Sequence, residues 1–211
     1  MDDILKTTYK AILEGDMGGC QAGVQTAVNQ GIASSEILNI ALIPAMGEVG
    51  RLFQEGEYFI PEMLIAARAM KAGLEIIRPM LVNSGVEPIG IVAIGTVKGD
   101  MHDIGKNLVA MMLEGAGFKI IDLGTDVSPD KVIETIKAYQ PNIIGLSALL
   151  TTTMPQMKAT IDALHTAGIR DQVKVIIGGA PVTEEYAHQI GADGFAADAS
   201  QAVNLAKSLL K

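Results

Sequence analysis

The chain has 211 residues, 49% of them apolar and 19% charged, so it can bury a sizeable core and is not a disordered chain. Its net charge of -8 argues against a protein built to hold nucleic acid, which needs a basic face. The single cysteine, Cys20, leaves no disulfide framework, the first residues are charged with no signal-like apolar core, and no apolar run approaches the roughly 18 residues of a membrane span; a cytoplasmic protein is expected.

Up to about Val82 the pattern is helical. Residues 2–14 and 17–30 carry helical apolar spacing, with Gly15-Asp16 and the segment GIASSE (31–36) as punctuation. Ser34 or Ser35, with Glu36 just behind, is a start signal for a third helix running to about Phe53. A turn, QEGEYFIPE, follows, and Pro61 suits the first turn of a fourth helix. On that helix Met63, Ala67, Met70 and Leu74 share one face. Four helices joined by short loops predict a small bundle over residues 1–84.

From residue 85 onward the grammar changes. Short apolar runs (IGIVAIGTV, FKIIDLG, NIIGLSALL, VKVIIGG and GADGFAAD) alternate with helical stretches near 103–115, 128–139, 155–167 and 182–190, and a last helix runs to Leu210. The strands are apolar throughout, as strands covered on both faces should be. The expected fold is α/β: a helical bundle cap, then a five-stranded parallel, flavodoxin-like doubly wound domain over 85–211. Ligands of such sheets sit beyond the C-terminal strand ends. The first of those ends carries GDMHDIGKN (Gly99–Asn107).

A phosphate loop is a poor account of this segment. Gly99 and Gly105 are separated by five residues, Asn107 stands where Ser or Thr is needed, and acidic groups would face the phosphates. The GLSAL run at 145–149 lacks the last glycine of a nucleophile elbow. A bare zinc or iron site would want more ligands than His102, His165, His188 and one cysteine offer, and His165 and His188 read as helix-surface residues. A receiver-like phospho-aspartate site would leave the histidine unexplained. The plain reading also stands: Asp100 capping the next helix, His102 exposed, and Gly105 permitting close packing.

Asp100-Met101-His102-Asp103-Ile104-Gly105 has the form D-x-H-x-x-G, Ser147-Ala148-Leu149 the form S-x-L, and Gly178-Gly179 is a glycine pair, each at a successive functional strand end. Together they resemble the cobalamin-binding domains that hold the cofactor base-off with a histidine on cobalt. The helical stretch GEVGRLFQEGEYFIPEMLIAARAMKAG is similar to the cap that precedes this domain in methionine synthase and in the corrinoid proteins of methyltransferase systems. The resemblance implies that His102 is the lower axial cobalt ligand, that Asp100 accepts a hydrogen bond from its second ring nitrogen, and that Thr153 completes the relay where methionine synthase has a serine. It places Met101, Asp103, Ile104, Gly105 and Leu149 against the cofactor. Ser147, Thr151, Gly178 and Gly179 then line a slot for the nucleotide tail, and Phe53, Ile60 and Met63 shield the upper corrin face. The segment NSGVEP (83–88) would be a hinge.

The implied function is a methyl carrier loaded with methylcobalamin or a related corrinoid. Its implied partners are a substrate-specific methyltransferase, an acceptor methyltransferase using tetrahydrofolate or coenzyme M, and a reductive activase, with neither nucleic acid nor membrane. The chain would then be a corrinoid subunit, not a complete enzyme. A cobalamin-dependent sensor is the alternative, and the small subunit of an adenosylcobalamin mutase a third reading.

Overall fold

The computed structural model describes residues 2–83 and 87–211. The chain divides into two compact units: one takes in the residues up to Pro88 together with Gly115–Gly117, the other Ile89–Glu114 with Phe118–Lys211. The boundary expected at 84/85, and the centre of the expected hinge, fall on residues 84–86, outside the described residues.

The first unit is helical. α1 (Asp3–Leu13) is followed by α2 (Met17–Asn29), whose N-cap Asp16 accepts the Gly19 N–H at 2.9 Å. The third helical run, read from sequence as one regular helix, has three parts: α3 (Ser34–Glu36), a π-helical stretch (Ile37–Leu42) and α4 (Ile43–Gln54). Pro44 accounts for the change, because it has no N–H to return to the carbonyl four residues back. Just before it the Ile43 N–H reaches the Leu38 carbonyl, five residues behind, and the helix widens. α5 (Ile60–Asn83) begins as expected with Pro61 in its first turn, and Glu62 folds back to accept the Phe59 N–H at 3.0 Å. Met63, Ala67, Met70 and Leu74 are all buried along one face. With Ile12, Val24, Leu42 and Met46 they make up much of the apolar core of this unit.

The second unit alternates strand and helix: β1 (Ile91–Val97), α6 (Ile104–Gly115), β2 (Lys119–Val127), α7 (Pro129–Tyr139), β3 (Ile143–Ser147), α8 (Pro155–Thr166), β4 (Lys174–Gly178), α9 (Glu184–Ile190), β5 (Gly194–Ala196) and α10 (Ala199–Leu209). The strands are parallel in the order β2-β1-β3-β4-β5, the flavodoxin-like order. β1, β3 and β4 are nearly solid apolar strands, as expected of strands covered on both faces. β2 departs from that expectation: it lies at the sheet edge, is half exposed, and continues to Val127. Its edge position relaxes the need for apolar residues, so Asp122 and Asp126 belong to the strand without entering the core.

The chain leaves β1 toward β2 on one side and reaches β3 on the other. The neighbouring C-terminal ends of β1 and β3 therefore form the switch point of the sheet. Two of the three sequence motifs meet there.

Candidate functional site

Asp100 lies three residues beyond the end of β1 and is fully buried. Each group that reaches its carboxylate can donate. Oδ1 receives the His102 backbone N–H at 3.1 Å and faces the ring Nδ1 at 2.8 Å. Oδ2 receives the Thr153 hydroxyl at 2.7 Å and the backbone N–H groups of Leu149 and Leu150 at 2.9 and 3.3 Å. Burial pushes this carboxyl upward, but the hydrogen bonds from Thr153, His102 and Leu149 outweigh it and hold Asp100 well below the usual carboxylate range. An ionised carboxylate can only accept, so Nδ1 of His102 carries the proton. In the neutral ring the lone pair of Nε2 is then left for another partner.

The ring is accessible for one. The His102 side chain is 52% exposed, while its backbone carbonyl is fixed by the Thr96 hydroxyl at 2.8 Å. Asp100 takes none of the first N–H groups of α6, so helix capping is not its role. Asp103 stands at that position and accepts the Asn107 side-chain amide at 3.0 Å.

Exposed apolar side chains accompany the imidazole: Met101 (69%), Ile104 (79%), Leu149 (42%) and Leu150 (41%). Water-facing apolar groups beside one open ring nitrogen mark a binding surface rather than a core. Leu150 was missed by the sequence motifs; its place next to the S-x-L leucine was the only available signal. Gly105 adds to the surface in an unexpected way. A Cβ there would touch nothing within 4 Å, and its φ is not positive, so neither a turn nor packing inside the chain requires glycine. The absent side chain leaves room for something outside the polypeptide.

Lys106, left without a role by sequence, is buried and donates to Asp122 Oδ1 and Asn107 Oδ1, both at 2.6 Å. Asp122 also accepts the Gly124 N–H at 2.9 Å. Burial raises the Asp122 carboxyl, and Lys106 with Gly124 lowers it further, to a net position below its ordinary value. The pair pins the first turn of α6 to the edge strand.

At the third motif, Ser147 lies in register with Gly178 across the β3–β4 pair, half-buried, and Thr151 is exposed. Gly179 takes φ +130, and a Cβ on it would lie 1.9 Å from the Ala148 carbonyl oxygen. The chain's own packing therefore demands this glycine. In the helical unit, Met63 is fully buried, Phe53 is half-buried, and Ile60 is exposed beside an exposed Phe59. His165 and His188 are exposed on α8 and α9, as expected.

The donor chemistry suits a large metallocofactor with an apolar face that brings most of its own metal ligands: one oriented imidazole nitrogen, an apolar rim and an open glycine. Comparison with known proteins agrees. Two models, each described as a B12 binding domain, match residues 4–78 and 90–204. The chain is 41% identical to dimethylamine corrinoid protein 1 of Methanosarcina acetivorans over 210 residues, 99% of this chain and 98% of that one.

The chain belongs to the B12-binding corrinoid proteins.

Solved structures of this family share the architecture. A cobalamin-binding protein from Desulfitobacterium hafniense aligns with a TM-score of 0.81 at 34% identity, covering 99% of this chain and 98% of that one. The methanol:cobalamin methyltransferase complex of Methanosarcina barkeri contains a chain that aligns with a TM-score of 0.88 at 32% identity, covering 99% of this chain and 80% of that one. The cofactor of this corrinoid protein is thus cobalamin or a close corrinoid. Among the described residues no helix is long and apolar enough to cross a membrane.

Proposed function

We propose that this corrinoid protein is a methyl carrier, taking a methyl group from a substrate-specific methyltransferase and delivering it to a second methyltransferase whose acceptor is tetrahydrofolate or coenzyme M. The observation that carries the reading is the His102–Asp100–Thr153 chain, which ends in an exposed imidazole with a fixed tautomer. Support for the substrate side comes from the dimethylamine relative and the methanol methyltransferase complex. A reductive activase and a cytoplasmic setting complete the proposal.

When bound, the corrinoid supplies a cobalt atom that accepts and gives up a methyl group. His102 would hold the cobalt through Nε2, the base-off, His-on mode that the resemblance implies. Asp100 keeps the proton on Nδ1 and so keeps Nε2 basic, and the Thr153 hydroxyl with the Leu149 and Leu150 N–H groups keeps Asp100 ionised. Met101, Asp103, Ile104, Gly105 and Leu149 provide the contact surface. Ser147, Thr151, Gly178 and Gly179 would line the slot for the nucleotide tail, as the resemblance implies. Phe53, Ile60 and Met63 are assigned through the resemblance to exclude water from the reactive centre.

Full-length protein reconstituted with hydroxocobalamin, reduced, and mixed with candidate methyltransferases tests this directly. Donors are mono-, di- and trimethylamine and methanol. Substrate-dependent methylation of the bound cobalt by one of these pairs is expected. Preferential binding of adenosylcobalamin, with light-dependent DNA binding or a change in oligomeric state and no methyl transfer, would instead establish the sensor reading.

A further inference from the structure

Asp126 has positive φ, +54, a rare state for a residue with a side chain; Gln140 is the other such residue among those described. Its origin is a bulge. β1 and β2 run in step from Ile91 opposite Lys119 to Ile94 opposite Asp122. β2 then gains one residue on β1 between Ile94–Asp122 and Gly95–Gly124, and a second between Gly95–Gly124 and Val97–Val127, the stretch that holds Asp126. Bulges of this kind re-aim a side chain beside functional sites.

Here the slack turns Asp126 toward the loop that carries the proposed cobalt ligand. Its Oδ1 accepts the Gly99 N–H at 2.7 Å, and its own N–H donates to the Asp100 carbonyl at 3.0 Å. Two bonds of opposite sense thus hold the residues just ahead of His102, and the Thr96 hydroxyl holds the His102 carbonyl beyond them. The ring depends on this frame, because Nδ1 is aimed at a carboxylate whose backbone Asp126 grips.

We infer that Asp126 is a positioning residue for the His102 imidazole: its carboxylate and backbone N–H fix the loop at Gly99 and Asp100, and so set the direction in which Nε2 is presented. The inference rests on the proposed role of His102. Asp126 touches neither the ring nor the cofactor surface residues through any of these bonds. It acts through the loop.

The test compares wild type, Asp126→Gly, Asp126→Asn and His102→Gly, each as full-length protein loaded with methylcobalamin at one neutral pH. Visible spectra give the ratio of histidine-ligated to histidine-free cofactor, with His102→Gly as the histidine-free reference. Glycine adopts positive φ without strain but loses the acceptor, so Asp126→Gly should lower the ratio about tenfold. Asparagine tolerates the same φ and keeps an oxygen for the Gly99 N–H, so Asp126→Asn should retain the wild-type ratio. In the cofactor-free protein, hydrogen exchange at the Gly99 amide should quicken in Asp126→Gly and not in Asp126→Asn.

A wild-type ratio in Asp126→Gly, with a clear shift in His102→Gly, overturns the positioning role alone. An unchanged spectrum in His102→Gly removes His102 as the ligand, and both statements fall together. A loss in Asp126→Asn as large as in Asp126→Gly overturns the hydrogen-bond account.

Discussion

Replacing Asp100 with alanine is expected to destabilise the cofactor-free protein by about 2–4 kcal/mol, measured by urea unfolding at neutral pH, because it leaves several part-buried donors without an acceptor at once. The backbone N–H groups of His102, Leu149 and Leu150 lose their acceptor, while the Thr153 hydroxyl can turn to the Leu150 carbonyl at 2.9 Å. Asparagine does not repair the site, since both carboxylate edges are already met by donors and an amide NH2 would face one of them. In the loaded protein Asp100→Ala also frees Nδ1, so the histidine-ligated fraction in the visible spectrum should fall. The pH dependence has a definite sign. The folded carboxyl is held below its unfolded value, so its contribution is complete above about pH 4 and is lost as pH falls toward the folded value. The gap between variant and wild type should therefore narrow in acid. An unchanged urea midpoint at neutral pH would contradict the buried-acceptor account.

Gly179→Ala is expected to cost about 3 kcal/mol or more, read from the shift in the urea transition. Two penalties coincide there. The backbone sits at φ +130, and the new Cβ would lie 1.9 Å from the Ala148 oxygen. Ala148 has little freedom to retreat, because it is fully buried and its own N–H is bonded to the Gly178 carbonyl at 3.2 Å. Any movement it makes carries Leu149 with it, and with Leu149 the N–H that supports Asp100. Loss of stability should thus be accompanied by weaker histidine ligation of the cofactor. A wild-type urea transition in this variant would mean that the β3 and β4 ends are not as closely apposed as described.

The elements were legible where apolar period and punctuation agreed. The buried strands β1, β3 and β4 announced themselves through solid apolar runs, and α5 through Pro61 and the Met63–Leu74 face. Two features were hidden for physical reasons. The π-helical stretch follows from a missing N–H at Pro44, which leaves the apolar pattern of residues 34–54 intact. The full length of β2 was masked because an edge strand tolerates Asp122 and Asp126.

The site shows the same division. Asp100 and His102 are two residues apart, and their pairing could be proposed from sequence. Thr153, named through the resemblance, lies 53 residues further on, while the Leu149 and Leu150 N–H groups had no signal of their own; the parallel β1–β3 pairing brings them all in. Gly105 and Gly179 looked alike as small residues near a ligand. The structure separates them: one is required by the chain itself, and the other leaves open space that nothing in the chain uses. Asp126 gave no signal at all, since a one-residue bulge cannot be read from composition or period.

The central claim is that a ring nitrogen of His102 sits on cobalt, and the most direct measurement identifies the residue that supplies it. Full-length protein is made with histidine carrying the heavy isotope of nitrogen in its ring, loaded with cobalamin and reduced to the Co(II) state, and its electron paramagnetic resonance spectrum is recorded. The account predicts that the nitrogen splitting changes from the triplet of the common isotope to the doublet of the heavy one, and that His102→Gly abolishes the doublet. A splitting that stays a triplet whatever the label would place another nitrogen on the metal and contradict it.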